Sequence, residues 1–242
     1  KTTPVEIFWQ MLLDGVNIKT SLPSPDMFVQ KFKAAKEAGD EVICILIASK
    51  LSGTYQGAML AKQIVDYDGI HVIDAGHAAA SVAEKMLVIA ACRMRDQECT
   101  AEEIARRLEQ LRGSVRLIAC LDTLEYLARG GRLPAAVASI GTKLQLKPII
   151  ASGENGEIQV VKKCMGSKRA MRDMTEMVTE CGINPEYPVI PIFAQNDRNC
   201  QEYVASLKNA GCVGAMQAPQ GIGATIGSYI GPGGYGIVFV EK

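Results

Sequence analysis

Apolar residues recur along this chain in two alternating rhythms. Short continuous runs such as Val42-Ile43-Cys44-Ile45-Leu46-Ile47 give way to stretches with apolar positions every three or four residues. The runs predict buried strands, and the longer spacing predicts helices with one buried face. Residues 4–13 place Ile7, Phe8, Met11 and Leu12 on one helical stripe. A second helix opens at Ser24-Pro25, aligns Phe28, Phe32 and Ala35, and closes at Gly39. A strand over 41–48 follows, then a Ser-Gly-Thr turn and a helix to about Val65. Residues 70–74 predict a strand, and 78–94 a helix with Val82, Met86, Ile89 and Ala90 inward. Thr100-Ala101-Glu102-Glu103 is a capping box that starts the next helix. Residues 114–121 read as a strand, and Asp122-Thr123-Leu124-Glu125 as a box-like cap on a short helix. This β-α-β-α order predicts a mostly parallel sheet covered by helices.

The pattern changes after Arg132. Strands over 146–151 and 157–163 flank Gly153-Glu154-Asn155-Gly156, and Asn-Gly is a strong hairpin signal. Residues 167–181 and 197–210 read as helices, and 188–194, 213–217 and 236–240 as strands. The expected fold is α/β in two domains, residues 1–121 and 122–242, each with its own sheet. No stretch rich in Pro, Ser or charge marks a linker between them.

Composition narrows the classes of partner. Lys+Arg and Asp+Glu both number 26, so the net charge is zero. Nucleic-acid binding needs a basic field, which this balance does not supply. No apolar run reaches the ~20 residues of a membrane span, and no signal peptide is visible, so no integral membrane contact is expected. The eight cysteines show no C-x-x-C spacing. They read as reduced thiols of a cytoplasmic protein, not as a disulfide framework or a zinc site.

Candidate chemistry concentrates in two hydroxyl-rich stretches, Thr20-Ser21-Leu22-Pro23-Ser24-Pro25 and Ser49-Lys50-Leu51-Ser52-Gly53-Thr54-Tyr55-Gln56. Each stands where a helix is expected to begin. A helix N-terminus has free N–H groups and a dipole that favours anions, and Gly53 lets a ligand approach the backbone. Ser52 or Thr54 would serve equally well as a cap for its own helix. Catalytic signals are weak. Asp74, His77 and Ser81 contain the residue types of a triad, but there is no G-x-S-x-G elbow. Neither H-E-x-x-H nor a P-loop occurs, and the glycines of 221–227 depart from G-x-G-x-x-G. No metal or cofactor is expected.

Five segments in order resemble the DegV family of bacterial fatty-acid-binding proteins. They are Thr20 to Ser24, Leu51 to Gln56, Leu121 to Leu133 with its Gly130-Gly131-Arg132, Gly141 to Ile150, and Gly231-Pro232-Gly233-Gly234-Tyr235-Gly236. The resemblance implies two α/β domains with one long-chain fatty acid buried in a tunnel between them. The ligand-binding residues it implies are Thr20, Ser21, Ser52, Gly53, Thr54, Arg132, Tyr229 and Gly231, with the carboxylate toward Thr20, Ser52 and the closing loop. It also implies a separate fatty acid kinase subunit as partner, and a chain without catalytic residues of its own. The competing reading is an enzyme, a small-molecule phosphotransferase or hydrolase using the Ser-Gly-Thr loop as its anion site. A DNA-associated regulator is disfavoured by the neutral charge.

Two departures from the family stand out. Family members open with a strand carrying an Asp-Ser turn, whereas 19 residues precede Thr20 here and the first is Lys. About 40 further residues upstream are therefore expected, the length of a strand-loop-strand unit. The family also places a His just before the Gly-Pro-Gly loop, where this chain has Tyr229. A tyrosine donates a hydrogen bond but carries no positive charge near pH 7. Tyr229 is otherwise a packed aromatic.

Overall fold

The computed structural model describes residues 3–133, 145–212 and 214–242. Residues 141–144 of the fourth family-like segment and Val213 of an expected strand lie outside them. The chain forms two compact units. One comprises Ser21–Val115 and Glu154–Glu157; the other comprises Lys1–Thr20, Arg116–Gly153 and Ile158–Lys242. The cut thus falls at 115/116 rather than 121/122, and two segments leave their neighbours in sequence. Packing, not chain order, assigns them.

In the first unit, β1 (Val42–Leu46) and β2 (Ile70–Asp74) pair in parallel, Val42 opposite Ile70 through Leu46 opposite Asp74. Helices α2 (Pro25–Ala38) and α3 (Thr54–Val65) bury Phe32, Ala58, Ala61 and Val65 with Ile70. Gly39 closes α2 in the left-handed conformation, φ 73°. Next come α4 (Val82–Asp96) and α5 (Ala101–Leu111), the latter with its Thr100–Glu103 capping box formed. The periodicity starts α4 at Ala78, but the helix begins at Val82. A 3-10 turn over Gly76–Ala78 intervenes, and Ala79 and Ser81 hold φ 51° and 60°. The hairpin tip joins this unit because Gly156 sits on the backbone of Gly76 and the methyl of Ala48, where any Cβ would overlap them.

Among the described residues the second unit carries a mixed seven-stranded sheet. Its strands are β3 (Val115–Cys120), β4 (Leu146–Ser152), β5 (Ile158–Met165), β6 (Pro188–Phe193), β7 (Ala215–Met216), β8 (Gln220–Gly221) and β9 (Tyr235–Val240). The order is β5-β4-β3-β9-β6-β7, with β8 also on β6. The β3–β4, β4–β5 and β6–β9 pairs are antiparallel, whereas β7 and β8 run parallel to β6. Helices α7 (Ser167–Cys181) and α8 (Arg198–Asn209) cover it, burying Met174, Val178, Tyr203 and Leu207 against Ile149, Ile237 and Phe239. Each such aliphatic or aromatic side chain contributes ~1.5–3 kcal/mol.

Three local expectations change. In α1 (Val5–Leu13) the buried face is Phe8, Trp9 and Leu12, while Ile7 and Met11 are exposed. The Asp122–Glu125 cap does not form before α6 (Glu125–Arg129). There Thr123 Oγ1 accepts from the Glu125 N–H at 3.1 Å, and Asp122 pairs with Lys147. The glycine-rich tract instead opens a helix, α9 (Ala224–Ile230). Gly227 is small because Trp9 and Phe8 of α1 occupy its side-chain space; a Cβ would come within 2.8 Å of Trp9 and 3.0 Å of Phe8. All eight cysteines are free thiols. Burial, with a smaller push from Glu84, raises the Cys44 thiol to about 11, and burial raises Cys200 to about 12. Among the described residues no helix is long and apolar enough to cross a membrane, and no group of side chains suits a metal ion.

Candidate ligand site

Within the larger-sheet unit, α6 and α9 lie against each other through two reciprocal contacts. The Tyr229 ring of α9 rests on the backbone of Gly130, just past the end of α6. The Tyr126 ring of α6 rests on Gly231, just past the end of α9. A Cβ at either glycine would overlap the ring. Gly231 also needs its left-handed φ of 71° to end the helix. Each ring carries a guanidinium: Arg132 lies 4.9 Å from the Tyr229 centroid and Arg129 5.5 Å from that of Tyr126. Arg132 Nη1 donates to the Gly130 carbonyl at 2.7 Å, which fixes its fork beside the phenol.

The Tyr229 hydroxyl is hydrogen-bonded to Thr20 Oγ1, 209 positions away in sequence. Four of the sequence-predicted residues, Thr20, Arg132, Tyr229 and Gly231, thus gather around one cluster. Thr20 does not open a helix, however. It lies in a stretch without regular secondary structure, and α2 begins only at Pro25. The cluster offers two hydroxyls and a cation to an anionic group. Tyr126 and Gly130 also belong to it; both lie in the family-like segment Leu121–Leu133, but that motif did not single them out as site residues.

The other four predicted residues lie in the β1–β2 unit. Ser21 is exposed and outside any helix or strand. Ser52 Oγ lies 2.8 Å from Thr54 Oγ1 and accepts from the Thr54 N–H at 3.3 Å. The N-cap position of α3 is Gly53, which has no side chain to cap the helix, and it is Ser52, one residue earlier, that meets the first-turn N–H of Thr54. The turn is tight against Leu22, whose Cδ2 stands 3.2 Å from where a Gly53 Cβ would be. This loop leaves the C-terminal end of a parallel strand, a usual place for ligands in α/β sheets.

Among the described residues the triad residue types are bonded to other groups. Asp74 Oδ1 accepts from the N–H groups of Ser49 and Gly76 at 3.0 and 2.9 Å, tying the loops after β1 and β2 together. His77 Nδ1 lies 3.2 Å from the Gly113 carbonyl. A surface cleft of about 510 Å³ lies beside α1, β6 and β8, lined by Trp9, Phe193 and Ile222 among others. None of the predicted site residues lines it.

Fold and cluster together define a two-unit α/β protein with hydroxyl-rich polar sites. The family model described as uncharacterised protein, DegV family, matches residues 1–242, and the chain belongs to the DegV family. A DegV domain-containing protein of Caldanaerobacter subterraneus is 34% identical over 238 residues, covering 98% of this chain and 84% of the relative. A solved DegV family protein from Thermus thermophilus, described by its fatty acid binding, is 30% identical with a TM-score of 0.86, covering 100% and 85% of the two chains. The Streptococcus pneumoniae fatty acid kinase B3 protein, solved with linoleic acid, has a TM-score of 0.85 at 21% identity over 100% and 85%. At that identity the likeness speaks for the fold.

Proposed function

We infer that this protein binds a long-chain fatty acid and presents its carboxylate to a separate kinase for conversion to an acyl phosphate. The observation that carries this reading is the Thr20–Tyr229 hydroxyl pair beside the Arg132 guanidinium. Such a group orients a carboxylate and has no base poised to activate a nucleophile. Family membership supplies the ligand class. Burying an acyl chain contributes ~0.8 kcal/mol per CH₂, while each hydrogen bond to a charged head contributes ~1.5–3 kcal/mol. The chain sets affinity and the head-group residues set orientation. The protein works in a bacterial cytoplasm as a carrier without a catalytic step of its own.

Native mass spectrometry followed by denaturation tests the ligand: release of a species of fatty-acid mass is expected, and release of a nucleotide overturns the reading. Labelled ATP and oleate with and without a fatty acid kinase test the role. Acyl phosphate is expected only with the kinase, and turnover without it would favour an enzyme.

A further inference from the structure

Three of the five family-like segments meet at one point of the larger-sheet unit. Strands β3 and β4 run antiparallel with Cys120 opposite Ile149, and the Leu121 N–H donates to the Pro148 carbonyl at 3.0 Å. Asp122 and Lys147 therefore come side by side where the two strands part, and Asp122 Oδ1 pairs with Lys147 Nζ. The other carboxylate oxygen lies under Gly233 of the closing loop, where any Cβ would overlap it; Gly233 holds φ 79°. To either side, Gly231 rests on Tyr126 and Gly236 on Ile118 and Ala119. Between them, a Cβ on Gly234 would stand 3.2 Å from Leu121 Cδ2. The closing loop is thus laid, glycine by glycine, along residues 118–126.

Packing accounts for the contacts with Tyr126, Leu121, Ile118 and Ala119. It does not account for a carboxylate under Gly233. The ion pair is partly open to water, with side chains 45% and 22% exposed, and pairs of that kind add little to stability. An unpaired carboxylate two residues from Gly231 would also repel the anionic head group read for the Thr20–Tyr229–Arg132 cluster. Lys147 cancels that charge and fixes the direction in which the carboxylate points.

We propose that Asp122, held and neutralised by Lys147, is a positioning residue for the ligand head group. Its second oxygen sets the height of Gly233, and through the closing loop the place of Gly231 and of the end of α9, which carries Tyr229. Asp122 acts on the ligand only through this loop. The proposal deepens the fatty-acid reading and rests on it.

Oleate affinity by fluorescent displacement, measured alongside kinase-dependent acyl phosphate formation, tests it. Lys147→Met keeps the apolar stem and leaves the carboxylate unpaired. Its oleate affinity is expected to fall about tenfold, the scale of one uncompensated charge near a protein surface, and the loss to shrink at high salt. Adding Asp122→Asn to Lys147→Met removes the charge and keeps the shape, and affinity is expected to return to within about threefold of wild type. Asp122→Ala removes the support, and turnover at saturating oleate is expected to fall about tenfold or more while affinity changes less. Thermal melts accompany each variant; where Asp122→Ala melts below wild type, the Lys147 cycle alone decides. Wild-type affinity in Lys147→Met, or a loss that Asp122→Asn does not relieve, overturns the proposal and leaves the fatty-acid reading standing. A wild-type protein that binds no oleate overturns that reading and the proposal together.

Discussion

The ring of Tyr229 rests on the backbone of Gly130, so α9 and α6 meet with no side chain between them at that point. Alanine at 130 must push the phenol away, and with it the hydroxyl bonded to Thr20. Gly130→Ala is expected to destabilise by ~1–3 kcal/mol, the cost of overpacking. Gly131→Ala is the control: its Cβ has open space, and only the φ of 70° opposes it, at about 1 kcal/mol. Urea midpoints of the two variants check the order, and equal losses would refute the ring-contact account.

Tyr229→Phe removes the hydroxyl that meets Thr20 but keeps the ring on Gly130. Stability is expected to change little, and fatty-acid affinity to fall about tenfold, the worth of one hydrogen bond to a charged group. Tyr229→His restores a donor that can carry charge, and affinity is expected to equal or exceed that of wild type. Fluorescent fatty-acid displacement measures both. A Phe variant that binds as wild type removes Tyr229 from the site.

Ser52→Ala deletes one partner of the Ser52–Thr54 pair. Kinase-dependent acyl phosphate formation is expected to fall by about tenfold or more, with acyl-chain binding lowered far less, because the chain supplies most of the affinity. Turnover at the wild-type rate would show that Ser52 does not touch the head group.

Asp74→Ala strands the Ser49 and Gly76 N–H groups, at ~1–3 kcal/mol for each buried donor left unpaired. Asp74→Asn keeps an acceptor and is expected to recover most of that loss. A thermal melt that ranks the alanine and asparagine variants equally would contradict the two-loop tie.

Glu84 lies at the start of α4, where burial raises its carboxyl and a bond from the Ser81 N–H lowers it less. A carboxyl raised in the fold binds its proton more tightly there than in the unfolded chain, so its ionised form costs stability above the raised value. Glu84→Gln is expected to be modestly more stable at neutral pH. The advantage shrinks as pH falls from the raised value toward the ordinary 4.5. Melting temperatures of both proteins from pH 7 to pH 4 decide it, and a constant difference would mean that Glu84 does not titrate as described.

The sequence by itself determined most of the secondary structure, because those signals are local. The Thr100–Glu103 box, Gly39 and the Asn155-Gly156 turn each act within a few residues, and α3, β2 and α7 run where hydrophobic spacing places them. The ordered motifs likewise identified the family. Only tertiary structure decided that α1 turns Trp9 inward and leaves Ile7 in water, since the choice depends on Gly227 far along the chain. It also made a helix of 224–230, where glycine lowers intrinsic helicity but admits Phe8 and Trp9. And while the family resemblance assigned Thr20 and Tyr229 to one site, only the tertiary structure showed that their hydroxyls bond each other, because a hydrogen bond across 209 positions leaves no periodic trace in either segment.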